Sequence, residues 1–125
     1  MDRVLPKQLT LAVAGLGLAL HAYEQLALSS EFSLGWLLWA FAPYALCLVV
    51  LFRSMSGVPP LCGVLVAFAF DLIAHYDIFI HPTGSTAGLA LIFVPLWSAL
   101  IFCPAVMLVA WLIVRRRRAH LHHAP

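Results

Sequence analysis

Residues 61–81 read LCGVLVAFAFDLIAHYDIFIH. The first ten positions carry no charge, and the second half interleaves apolar side chains with Asp71, His75 and Asp77 before ending on His81. A helix rising 1.5 Å per residue needs about 20 apolar residues to cross a hydrocarbon core of about 30 Å. An ionisable side chain within such a span is costly and marks a site by default. The stretch therefore reads as a membrane helix that carries a polar cluster.

The remainder of the chain fits that reading. Of its 125 residues, 64% are hydrophobic and 10% are charged, against about 45–50% and about 25% in an average soluble domain. A soluble fold of this length has too little polar surface to cover such a core. Further charge-poor runs lie at 9–28, 34–52 and 86–114, beside the one at 61–80. The expected fold is an all-α integral membrane protein, with residues 1–125 forming one bundle of four transmembrane helices and a basic tail at 115–125. Between the runs, SSEFS (29–33), SMSGVPP (54–60) and HPTGS (81–85) supply turn residues. Ser85 is placed to cap the last helix.

Details of each run carry their own expectations. The basic start and short apolar stretch of the first run also resemble a signal peptide, with Ala27, Leu28 and Ser29 as its cleavage site. A retained helix gives the more even layout and is the expectation. Pro43 predicts a kink in the second helix. The fourth run, at about 43 Å, exceeds the core, so tilt, kinks at Pro95 and Pro104, or an extension beyond the bilayer must absorb the surplus. Residues 119–125 are expected to be disordered. Gly15 with Ala19, and Gly84 with Gly88, have a four-residue spacing that allows close helix approach.

All seven Lys and Arg residues fall at the two ends of the chain or beside the second turn, and none falls in SSEFS or HPTGS. The positive-inside rule then puts both termini in the cytoplasm, in a bacterial cytoplasmic (inner) membrane. Arg115, Arg116, Arg117 and Arg118 follow Trp111, where they fix topology and meet anionic lipid headgroups.

With that topology the first and third helices run the same way, so depth follows from residue number. His21 lies about 18 Å from the inner end of its helix and Glu24 about 22 Å; Asp71 lies about 17 Å from its own and His75 about 22 Å. His21 and Glu24 are three apart and Asp71 and His75 four apart, so each pair shares one helix face. The expected intramembrane cluster is therefore His21, Glu24, Asp71 and His75, with His21 level with Asp71 and Glu24 with His75. Asp77 turns to another face and, with His81, is expected at the outer rim.

Such a cluster has three readings. Acid–histidine bonds between helices act as structural glue, each worth about 0.6–2 kcal/mol. Chains of Asp, Glu and His also serve as proton or cation pathways, because histidine changes charge near neutral pH. Two imidazoles and two carboxylates form a third type of set, which can hold a metal ion or flank a haem.

Other chemistries find little support. Cys47, Cys62 and Cys103 sit in apolar runs without a C-x-x-C, as inert buried thiols do. The chain has no G-x-S-x-G and no H-E-x-x-H. Its bases are too few for nucleic-acid binding. His120, His122 and His123 read as a solvated tail ahead of a metal site. The leading expectation is a non-catalytic membrane protein without a cofactor. It would act in the bilayer by helix packing against another membrane protein or a second copy, as an accessory, assembly or protective subunit. A proton- or cation-coupled channel or transporter subunit comes next, and a haem- or metal-binding redox subunit third.

Overall fold

The computed structural model describes residues 4–54, 56–82, 84 and 87–122. Four helices cross the fold: α1 (Val4–Leu28), α2 (Leu34–Arg53), α3 (Val58–Ile80) and α4 (Ala90–Leu121). Each is long and apolar enough to span a membrane, and no strand occurs among the described residues. Large apolar side chains cover the outside of the bundle, including Phe52 at 78% exposed and Leu26 at 74%. In water such a surface would drive association; against lipid tails it costs nothing.

Helix ends differ from the sequence expectation where proline chemistry governs them. α1 is already helical at Val4, ahead of residue 9, and tolerates Pro6 near its start, where the missing N–H breaks no helical bond. α3 begins at Val58 rather than 61, with Pro59 and Pro60 opening it. The tail is a larger correction. Helix continues through Arg115–Arg118 to His122, so Ala119, His120 and Leu121 are ordered as helix rather than disordered. No Gly or Pro interrupts this segment after Pro104, and arginine is a good helix former. The expected Ser85 cap and His123 lie outside the described residues.

Three helices contain a π turn. α1 ends in one at Glu24–Leu28 and α3 at Tyr76–Ile80, while α4 has one at Ser98–Phe102, between Pro95 and Pro104. Such i→i+5 turns are rare and often mark functional sites. In α4 helix continues past both prolines by way of this turn. α2 stays helical through Pro43.

α3 is central: it packs along α1, α2 and α4, whereas α1 and α4 share no extensive contact. The core holds Ala14, Tyr44, Cys47, Val64, Ala67, Cys103 and Met107. Cys47 and Cys103 are buried and Cys62 is half-buried; all three are free thiols. Phe70 of α3 packs on Phe102 of α4 at a ring separation of 4.6 Å. The close approaches fall on glycines other than those singled out by spacing. Gly15, Gly84 and Gly88 have open space at their Cβ positions. A Cβ on Gly63 would stand 2.7 Å from Cys47 Sγ and 3.0 Å from Met107 Cγ. Gly63→Ala is therefore expected to destabilise the bundle by about 1–3 kcal/mol through overpacking. A detergent unfolding midpoint unchanged from wild type would contradict this.

Candidate functional site

The C-terminal halves of α1 and α3 and the middle of α2 bring five polar side chains into one chain of hydrogen bonds. The Tyr44 hydroxyl donates to Asp71 Oδ2 at 2.6 Å. His21 Nε2 meets the same oxygen at 3.0 Å, and its Nδ1 meets Glu24 Oε2 at 3.0 Å. His75 Nδ1 reaches the other oxygen, Glu24 Oε1, at 2.7 Å. The order is Tyr44, Asp71, His21, Glu24, His75. His21, Glu24, Asp71 and Tyr44 are buried and His75 is half-buried. α1 passes from α to π geometry at Glu24, and α3 does so just after His75.

Proton counting follows from the contacts. A neutral imidazole has one N–H, yet both nitrogens of His21 face carboxylate oxygens. Each contact needs one hydrogen. The Asp71–His21–Glu24 unit therefore keeps one proton beyond two carboxylates and a neutral ring, whether on His21 or on an acid. It carries one net negative charge, which a protonated His75 would neutralise.

One acceptor stays open. Both bonds to Asp71 fall on Oδ2, and among the described residues none reaches Oδ1. Asp71 is 3% exposed and lines a cavity of about 210 Å³ together with His21, Glu24, His75, Trp36 and Val94. The cavity reaches Gln25 and Ser29, at the end of the bundle that bears the α1–α2 turn. Gln25 Oε1 accepts from the Ser33 backbone N–H at 3.2 Å and steadies that turn. In the other direction Tyr44 closes the site. Its ring is fully buried, stacks on Phe41 at 5.4 Å, and fits only because Gly17 has no Cβ.

The other expected residues stand apart from this chain. Asp77 and His81 are exposed at the end of α3, where the His81 ring stacks on Tyr76 at 6.1 Å. Arg115, Arg116, Arg117 and Arg118 are exposed on the last turns of α4, with the Arg115 guanidinium 5.2 Å from the Trp111 ring centre. Among the described residues, no three His, Cys, Asp or Glu side chains are arranged to hold a metal ion. Ser98 is buried on α4 and its hydroxyl has no partner among the described residues.

Sequence reasoning missed Tyr44. A phenol inside an otherwise charge-free run was the available signal, since a buried tyrosine O–H usually finds a partner. Fold and site together define a small multi-pass membrane protein with a buried, hydrogen-bonded chain of acids and histidines beside a cavity. No known protein family, characterised protein or solved structure matches the chain.

Proposed function

We propose that this protein is the coupling subunit of a proton- or cation-coupled carrier, binding and releasing protons at Asp71, His21, Glu24 and His75. The observation that carries the reading is that relay and cavity coincide. A set of acids and histidines used only as glue gains nothing from a cavity, whereas here the free oxygen of Asp71 belongs to a cavity-lining side chain. Closure by Tyr44 and Gly17 favours a carrier open on one side over a continuous pore. With the basic ends in the cytoplasm of a bacterial inner membrane, the cavity faces outward.

The test is proton movement in liposomes that hold the full chain and an internal pH dye, under imposed gradients of sodium, potassium or tetramethylammonium. Saturable proton flux is expected in at least one gradient, reduced by about tenfold or more in Asp71→Asn, as loss of a buried charge partner would cause. Flux equal to protein-free liposomes in every gradient would overturn the reading.

A second reading, an accessory, assembly or protective subunit acting by helix packing, has one specific observation in its favour. Gly15 and Ala19 are exposed on α1 with open space at the Gly15 Cβ position, a small-residue face available to another membrane protein or a second copy. On that reading the liposomes stay silent.

A further inference from the structure

We infer that the cavity beside the relay binds a small organic ammonium ion, seated on Asp71 Oδ1 and taken up in exchange for a proton. The exchange rests on the carrier reading above; the cation site rests on the cavity itself.

Four observations converge. Asp71 is buried, lines the cavity and has one oxygen free of hydrogen bonds among the described residues. Among the described residues Ser98 Oγ alone is a sealed-off polar side-chain atom without a partner; Oδ1 is open, and an ammonium N–H that reaches it makes a charge-assisted hydrogen bond. The sign of charge agrees. The Asp71–His21–Glu24 unit carries one negative charge, so an anion is repelled and an ammonium can stand in for the proton on His75 that otherwise balances it.

The walls decide between kinds of cation. Leu37, Ile78, Leu91 and Val94 give the cavity an apolar lining, and Trp36 adds an indole. A hard inorganic ion wants about six oxygen ligands, and beyond Asp71 and Glu24 the lining supplies only the side-chain oxygens of Gln25 and Ser29, the former already bonded to the Ser33 N–H. An alkyl or arylalkyl group finds apolar contact there, and a cation gains further from the indole face.

Size sets the last limit. A cavity of about 150 Å³ holds benzene, so the 210 Å³ here suits a slightly larger ligand. Benzylammonium is of that scale.

Charge balance then fixes the exchange. The titratable groups facing the cavity are His21 and Glu24 from α1 and Asp71 and His75 from α3, with Tyr44 of α2 beneath. α4 contributes Ala90, Leu91, Val94 and Pro95, none of which titrates. With His75 protonated the site is neutral without ligand. With an ammonium on Asp71 it is neutral only after His75 loses that proton. Uncompensated charge is expensive at this depth, so each bound ammonium displaces about one proton.

Calorimetry with benzylammonium on the full chain in lipid nanodiscs, in two buffers of different ionisation enthalpy, reads binding and proton release together. Saturable binding above that of protein-free nanodiscs is expected, with about one proton released per amine and benzyl alcohol weaker by about tenfold or more. Asp71→Asn should weaken the amine by at least about tenfold. Ala40→Leu, which fills the cavity from α2 without altering the relay, should weaken it comparably, guarding against a folding defect in the first variant. Equal binding of the alcohol, indifference to both variants, or heats matching protein-free nanodiscs would overturn the cation site. Amine binding without proton release would overturn the exchange and the carrier reading while leaving the cation site. Proton titration of the relay without amine binding would do the reverse.

Discussion

Replacing His21 by leucine is expected to destabilise the bundle by about 3–5 kcal/mol, the range for removing one partner from a buried ion pair. Among the described residues His21 is the only side chain that touches both acids, Asp71 and Glu24, across its two nitrogens. Without it Asp71 keeps Tyr44 and Glu24 keeps His75, but two buried carboxylates lose the proton they share through the ring. The membrane moderates this cost, because a helix separated from its neighbours in lipid also finds partners for its polar groups. The expected loss therefore lies at the lower end of the range. A double-mutant cycle isolates the cause. In an Asp71→Leu background the His21→Leu change should cost at least about 1 kcal/mol less, since one of the two contacts is already gone. Additive losses would show that the pair is not coupled. Reversible unfolding in mixed detergent micelles measures all four corners.

Gly17→Ala is the second large effect, with an expected loss of about 1–3 kcal/mol from overpacking. An alanine Cβ would overlap the Tyr44 ring, with Tyr44 Cε1 at 2.5 Å. The far end of that ring carries the hydroxyl that holds Asp71, so the ring cannot move without disturbing the relay. Tyr44 is also fully buried against Phe41, which leaves it little room to swing aside. The partner test is direct. In Tyr44→Leu the ring is absent, and Gly17→Ala should then become nearly neutral. Equal destabilisation in both backgrounds would mean that the glycine serves the helix backbone rather than the ring. Tyr44→Phe removes only the hydroxyl and should cost about 1 kcal/mol, separating the hydrogen bond from the packing.

These two experiments fall on residues of unequal legibility. His21, Glu24, Asp71 and His75 stood out in the sequence because ionisable groups are rare in apolar helices. Their spacing along each helix could be counted, because helix rise per residue is nearly constant. Gly17 carried no such mark. Spacing drew attention to Gly15, yet Gly15 faces outward and Gly17 takes the Tyr44 ring. A shift of two residues turns a helix face by about 200°, so only the rotation of α1 about its axis separates the two roles. Tyr44 was hidden for the same reason. Its position in α2 was plain, but the direction of its hydroxyl depends on how α2 sits against α3.

The sequence by itself determined the four apolar helices and the order of the polar side chains along them. Those properties follow from hydropathy and from distance along one axis, and both can be read from a string of residues. The tertiary structure alone decided that α1 and α3 lie side by side, that Tyr44 joins and closes the relay, and that Asp71 keeps one oxygen free beside a cavity. Those features arise from the rotation of each helix about its own axis. Lipid tails and apolar side chains are nearly equivalent as neighbours, so hydropathy alone leaves that rotation open. Small-residue contacts and buried hydrogen bonds settle it, and these form only once the helices have met.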